Sequence, residues 1–307
     1  MSIVACLKGK GPNGFGYGAT AEEVTAGLDL RGQTILVTGC NSGLGRETVR
    51  ALALRGARVI ATGRTLDRAR EGCAGLTGDF VPLACELSEP ASVRACIAAV
   101  ERGGAPLDAI VCNAGIMAVP KLTQKFGCEL QFFTNHIGHF MLVTGLLNRL
   151  TPRGRVVVTA SNAHRRAPAS GVELDNLSGA RGYMPWTAYG QSKLANILFT
   201  KELARRLGGG DGRTANTLHP GVIATNLSRT SSLAVRVGLR LAAPLALKTA
   251  SQGAATQTYL ATNPAVATVT GLYFADCNPS EPAPIANDAG LAARLWEASE
   301  KIVAALP

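Results

Sequence analysis

Tyr189 and Lys193 stand four residues apart in Tyr189-Gly190-Gln191-Ser192-Lys193, within a stretch that reads as helix. Residues i and i+4 share one helix face, so a phenol and an ammonium would lie side by side. An ammonium beside a phenol favours the phenolate and would draw the tyrosine down from its ordinary pKa of about 10. A phenol tuned in this way can give or take a proton at a carbinol or carbonyl oxygen. The pair alone is weak evidence, because a half-buried tyrosine followed by an exposed lysine has the same spacing. Its meaning depends on the rest of the chain.

A second group, Gly39, Asn41, Ser42, Gly43, Leu44 and Gly45 in TGCNSGLG, follows an apolar run and opens a helical one. The glycines permit a tight turn and the close approach of a pyrophosphate, and a helix N-terminus offers free N–H groups and partial positive charge. The spacing is G-x-x-x-G-x-G, and the bland reading is a strand-to-helix turn without a ligand. The next strand ends Ala61-Thr62-Gly63-Arg64 and lacks the acid that would bind the ribose 2′-hydroxyl of NAD. Arg64 can pair with a 2′-phosphate, and Arg46 can add a second charge. The alternative is two solvated arginines. The reading favours NADP(H) over NAD(H).

These groups need a scaffold. Apolar strands are expected at 34–38, 57–62, 80–85, 107–112, 155–160, 214–218 and 271–275. They alternate with helices at about 43–55, 91–102, 129–150, 185–207 and 252–261. That alternation predicts an α/β chain: a single Rossmann-fold domain with a doubly wound, seven-stranded parallel sheet and helices on both faces. Ligands bind at the carboxyl ends of the strands in such sheets, where both groups fall. Residues 1–32 read as an arm that packs on the domain or stays mobile, and residues 33–307 as the domain. No repeat or linker divides it.

Hydrophobic residues make up 47% and aromatics 5%, so the core must be built mainly from Ala, Val, Leu and Ile. The net charge of +10 admits nucleic acid, an anionic membrane surface or an anionic cofactor. The basic residues are scattered without interleaved aromatics, which argues against nucleic acid. Eight cysteines (Cys6, Cys40, Cys73, Cys85, Cys96, Cys112, Cys128, Cys277) form no C-x-x-C pair and read as core thiols of a reducing compartment. His136, His139, His164 and His219 form no metal-ligand pattern with them, so no metal is expected. No secretory signal is evident, and the apolar run Leu241 to Leu247 is too short to span a bilayer. The expectation is a cytoplasmic protein, with peripheral membrane contact left open.

With these pieces together the chain resembles the short-chain dehydrogenase/reductase family over about residues 30–276. The resemblance is closest to the branch of the retinol dehydrogenases and the WW-domain-containing oxidoreductase. It is carried by TGCNSGLG at 38–45, CNAG at 112–115, NHIGHF at 135–140, VVVTAS at 156–161, YGQSKLANILF at 189–199 and HPGVIATNL at 219–227. It implies that Tyr189 is the general acid/base and that Lys193 lowers its pKa and holds the nicotinamide ribose. Ser161 would hold the substrate oxygen. Asn135 would bend the long helix and anchor a water leading to Lys193. Asn113, Ala114 and Gly115 would line the adenosine ribose side. Glu86 stands where many relatives carry an Asp that reaches the adenine, with Leu87 beside it. Pro220, Gly221, Val222 and Thr225 would meet the nicotinamide end. Asn135, Ser161 and Thr225 also read as caps or turn residues.

The implied reaction is hydride transfer between nicotinamide and an oxygen-bearing carbon, with carbonyl reduction favoured. A segment at about 222–250, rich in Leu, Ala and Val with interspersed Arg, is the expected substrate lid and suits an apolar aldehyde, ketone or alcohol. Such a lid could lie on a membrane surface through its basic residues, and the segment also reads as an amphipathic helix that packs on the domain or a partner. Tyr183, Met184 and Trp186 are candidates for the opposite wall. Reduction of an activated C=C bond and a non-catalytic NADP-binding scaffold remain the alternatives. The resemblance also implies a homo-oligomer paired through the helices at 129–150 and 185–207.

Overall fold

β1 (Thr34–Thr38), β2 (Arg58–Gly63), β3 (Asp79–Ala84), β4 (Leu107–Cys112), β7 (Leu150–Thr159), β8 (Thr214–His219) and β9 (Tyr273–Ala275) form the sheet in a computed structural model describing residues 9–208, 212–223 and 247–307. These strands pair in parallel. A short eighth strand, β10 (Asn278–Pro279), pairs antiparallel with β9 and was not expected from the sequence. The order is β10-β9-β8-β7-β4-β1-β2-β3. Strand order reverses between β1 and β4, which opens a crevice at their carboxyl ends. β5 (Gln124–Lys125) and β6 (Cys128–Glu129) form a separate hairpin.

Alternation within the strands divides the core into two layers. Leu36, Ile110, Val156 and Val158 face one side, and Ile35, Val37, Ala109, Val111 and Val157 the other. The first layer is covered by α3 (Pro90–Gly103), α4 (Leu130–Leu146), α5 (Pro185–Leu207) and α7 (Ala289–Ala304). The second is covered by α1 (Gly43–Leu54), α2 (Leu66–Cys73) and α6 (Ala250–Thr262). Local chemistry sets the helix ends. Thr65 and Asp288 cap α2 and α7, Pro90 opens α3, and Thr249 and Gln252 form a capping box on α6.

Residues 9–32 lie against α1 and α6. Ala21 is buried and donates its N–H to the Ser251 carbonyl at 2.9 Å, and Phe15 meets Tyr259 edge-on. Two helices, α2 and α7, are absent from the sequence-based reading. α4 also departs from it: the expected run to residue 150 ends at Leu146 and contains a π-helical turn at Phe133–Ile137. The lid expected at 222–250 and the apolar run at 241–247 fall mostly outside the described residues.

α7 holds the first layer together. The Trp296 ring lies 4.9 Å from Phe140 of α4 and 5.8 Å from Phe199 of α5, and the Arg206 guanidinium sits 4.3 Å above it. The chain's own C-terminal helix thereby covers the two helices expected to pair between copies. Trp296→Ala removes this wedge and should destabilise the fold by about 3–5 kcal/mol, read as a lower urea midpoint at unchanged slope.

Candidate active site

The crevice between β1 and β4 begins at the glycine turn. Gly39 has φ +73° and Gly43 φ +52°, and a side chain on Gly45 would collide with the Gly39 carbonyl. Ser42 caps α1 without a side-chain hydrogen bond, and the first turn of α1 holds no acid. Backbone N–H groups therefore remain for an anion at this end, and the turn fits a pyrophosphate. Asn41 is half-buried, Ser42 exposed and Leu44 half-buried along the same turn.

Asn113 holds that turn in place. Its N–H and that of Ala114 both donate to Thr38 Oγ1 at 3.0 Å, and its Nδ2 donates to the Thr38 carbonyl at 2.8 Å. Its Oδ1 accepts from Gln257 Nε2 at 3.1 Å. Gln257, fully buried on α6, also donates to Thr48 Oγ1 at 2.6 Å and accepts from Thr159 Oγ1 at 3.1 Å. The side chain of Asn113 is thus engaged with the protein, not free for a ribose.

The second half of the site stands on α5, α4 and the end of β7. Lys193 is 3% exposed and donates from Nζ to the Thr159 carbonyl at 2.9 Å. Burial holds its pKa down to about 8. Nζ lies 5.7 Å from the Tyr189 ring centroid. The expected lowering of the Tyr189 phenol is not found. Burial pushes it up to about 12, against a smaller opposing effect of the Ser161 hydroxyl beside it. The physical reason is that Tyr189 is half-buried, and desolvation of its phenolate is the largest effect on it.

Ser161 follows β7 and caps a short helix, accepting from the Ala163 N–H at 3.1 Å. It therefore has both the turn role and the contact with Tyr189. Asn135 lies inside the π-helical turn of α4 and is fully buried. Its Oδ1 accepts from the Ile116 N–H at 2.8 Å, and its Nδ2 donates to the Ile116 carbonyl and to Ser192 Oγ, both at 2.9 Å. Space beside Gly115 is tight: a side chain there would stand 3.0 Å from Asn135 Oδ1 and 3.5 Å from Lys193 Nζ.

The other expected contacts are distributed around this centre. Arg64 is exposed at the end of β2 and makes no hydrogen bond or ion pair with the described residues. Arg46 is half-buried and donates to the Ala74 carbonyl at 2.9 Å. Glu86 accepts from the N–H and hydroxyl of Ser88, so its carboxylate folds back on its own loop. Leu87 is 3% exposed and belongs to the core, leaving its backbone for any cofactor contact. Pro220 is buried, Gly221 packs on Lys248, and Val222 is exposed. Thr225 lies outside the described residues. Trp186 meets Tyr189 edge-on at 6.1 Å with the Arg166 guanidinium over its ring, and Met184 is exposed nearby in sequence.

Sequence reasoning missed Gln257, which has no motif around it. It also missed the site roles of His139, inside NHIGHF, and of His164, three residues past VVVTAS; they contact Asn135 and Ser161. Among the described residues no helix is long and apolar enough to cross a membrane.

A doubly wound sheet with a glycine turn at its switch point, and a tyrosine and a serine near a buried lysine, fit a dinucleotide-dependent oxidoreductase. The chain belongs to the short-chain dehydrogenase family, which it matches over residues 33–235, and is an NAD(P)-dependent oxidoreductase of that family. It is 39% identical to the short-chain dehydrogenase TIC 32 A, chloroplastic, of Brassica napus over the whole of both chains. It is 38% identical to retinol dehydrogenase 14 of Homo sapiens, over 90% of this chain and 88% of that one. A crystal structure of an uncharacterized Mycobacterium paratuberculosis protein, 34% identical, matches 94% of this chain and 99% of its own with a TM-score of 0.74. A Burkholderia cenocepacia short chain dehydrogenase solved in complex with NADP shares the fold at 24% identity and a TM-score of 0.64, over 80% of this chain and 97% of that one.

The buried lysine makes stability depend on pH. Its folded pKa of about 8 lies below its ordinary 10.5, so between those values the unfolded chain holds the proton and the folded chain has released it. Stability from this group therefore rises with pH across that window, and below it the full burial cost is present. Urea unfolding of wild type and Lys193→Met at pH 7.5, 9 and 10 checks this. Wild type should gain on the variant as pH rises, whereas parallel curves would contradict the depressed pKa.

Proposed function

We propose that the protein is an NADP(H)-dependent reductase of apolar aldehydes or ketones. The observation that carries this reading is the Tyr189–Ser161 hydroxyl pair standing beside the buried Lys193. When bound, NADP(H) supplies or accepts the hydride. The chain's own residues orient the substrate and manage one proton. Ser161 and Tyr189 hold the substrate oxygen between two hydroxyls, and Ser161 stabilises charge that develops there. Tyr189 gives its proton to that oxygen in reduction. Burial raises the phenol pKa, so Tyr189 carries a proton that it can donate at neutral pH. Lys193 returns the proton from the floor of the site. Asn135 keeps α4 bent beside it and anchors a water on the relay.

Gly39, Asn41, Ser42, Gly43, Leu44 and Gly45 would hold the pyrophosphate. Arg64, with Arg46 behind it, would meet a 2′-phosphate. The backbone of Asn113, Ala114 and Gly115 would line the adenosine ribose, with the backbone of Leu87 toward the adenine and Glu86 there only if its carboxylate leaves Ser88. Lys193 and Tyr189 would meet the nicotinamide ribose, and Pro220, Gly221, Val222 and Thr225 the nicotinamide. Exposed Met184 at 65%, Trp186 at 44% and Val222 at 59% support an apolar substrate. The resemblance to a retinol dehydrogenase agrees with that class.

Turnover should be followed as NADPH consumption against a panel of apolar aldehydes and ketones. Tyr189→Phe should lower kcat by about a hundredfold or more while the NADPH Kd stays near wild type. A double-bond reductase would consume NADPH only with enones, and a scaffold would consume none. Arg64→Asp should weaken NADPH binding by about tenfold and leave NADH binding equal or tighter, because it replaces a 2′-phosphate partner with a 2′-hydroxyl acceptor. Equal losses for both cofactors would remove Arg64 from the site.

A further inference from the structure

His139 and His164 are each 1% exposed, and each stands one hydrogen bond behind a residue of the proposed tetrad. His139 Nδ1 is 3.0 Å from the Asn135 carbonyl oxygen. His164 Nδ1 is 2.6 Å from the Ser161 carbonyl oxygen. A carbonyl oxygen only accepts, so both Nδ1 atoms carry the proton. The opposite nitrogens are equally determined. The Ala283 backbone N–H donates to His164 Nε2 at 2.9 Å, so that nitrogen is bare. Thr38 Oγ1 lies 2.9 Å from His139 Nε2 and already accepts from the amides of Asn113 and Ala114. Those two bonds use both hydroxyl lone pairs, and the remaining Thr38 proton goes to His139 Nε2 at 2.9 Å in preference to the Val111 carbonyl at 3.5 Å. Each ring is therefore a neutral Nδ1–H tautomer with both nitrogens engaged.

The two carbonyls so held lie where regular structure breaks, and that of Ser161 accepts the His164 backbone N–H at 3.0 Å as well as the ring. Asn135 sits within the π-helical turn, where the regular i+4 ladder is broken. Ser161 sits where β7 gives way to a short helix. A donor on each carbonyl sets the orientation of that peptide, and with it the direction of the side chain. His139 refers Asn135 to the end of β1, at the glycine turn. His164 refers Ser161 to Ala283, in the segment after β10.

We propose that His139 and His164 are a pair of positioning residues, each pinning through Nδ1–H the backbone carbonyl of one tetrad member. They orient Asn135 and Ser161 from behind and touch neither substrate nor cofactor. The proposal rests on the tetrad reading above. Burial keeps His139 neutral at neutral pH, its pKa held down to about 4, and a charge there would stand near the Lys193 ammonium. Desolvation likewise lowers the His164 pKa.

The test has two arms. In 15N-histidine NMR of the wild-type protein at pH 7, His139 and His164 should both give the neutral Nδ1–H pattern. An Nε2–H or doubly protonated pattern at either ring overturns the proposal for that ring. This arm needs no turnover, so it remains decisive even if the reductase reading fails. The second arm compares asparagine, whose amide nitrogen replaces Nδ1, with glutamine, which reaches the Nε2 position. His139→Gln and His164→Gln should each lose about tenfold more kcat than His139→Asn and His164→Asn, at an NADPH Kd near wild type. Equal kcat in the Asn and Gln variants, with changes confined to melting temperature, would mark a purely structural role and overturn the proposal.

Discussion

The ammonium of Lys193 is buried without a carboxylate partner among the described residues, and the site is built around making that tolerable. A buried charge must be hydrogen-bonded or lose its proton. Here both happen in part. The Thr159 carbonyl accepts from Nζ, and the pKa is held well below that of an exposed lysine. Thr159 must therefore end β7 with its carbonyl turned toward α5. The same oxygen also accepts from Asn196 Nδ2 at 3.2 Å, so two side chains of α5 are tied to one strand end. Gly115 completes the enclosure by having no side chain beside Nζ.

From Thr159 the constraint spreads across the sheet. Its hydroxyl meets Gln257, which meets Asn113, which holds Thr38 and the glycine turn. Those residues lie at the ends of β7, β4 and β1, three adjacent strands, and on α6. The glycine turn and the buried lysine are thereby one hydrogen-bonded body. A site that must align two carbons for hydride transfer benefits from such support, because small misplacements cost much of the rate. His139 adds a second connection between the same parts, from Thr38 to Asn135.

The electrostatics of Tyr189 follow from this enclosure more than from helix spacing. Placing Lys193 four residues on gives proximity, but both groups are desolvated and the phenolate is the costlier form. The same burial that lowers the lysine raises the tyrosine. Two groups with displaced pKa values and a serine hydroxyl between protein and solvent are what acid–base chemistry at an oxygen requires.

Local signals in the chain were enough for the alternation of strands and helices, the parallel sheet, the glycine turn and the Tyr189–Lys193 face. Each depends on near neighbours: apolar runs in β1, β4 and β8, glycines that permit Gly39 and Gly45 their conformations, and the 3.6-residue period of α5. β4 and α5 were legible to the residue for that reason. The short α2 and β10 were not, since elements of that length owe their form to what they pack on. α7 lacked any motif, and its role comes from Trp296 meeting Phe140 and Phe199, residues far away in the sequence. The π turn at Asn135, the spent side chain of Asn113, the hub at Gln257 and the raised pKa of Tyr189 were decided only by tertiary structure. Hydrogen-bond partners and desolvation are properties of what surrounds a group in space, and no spacing along the chain encodes them.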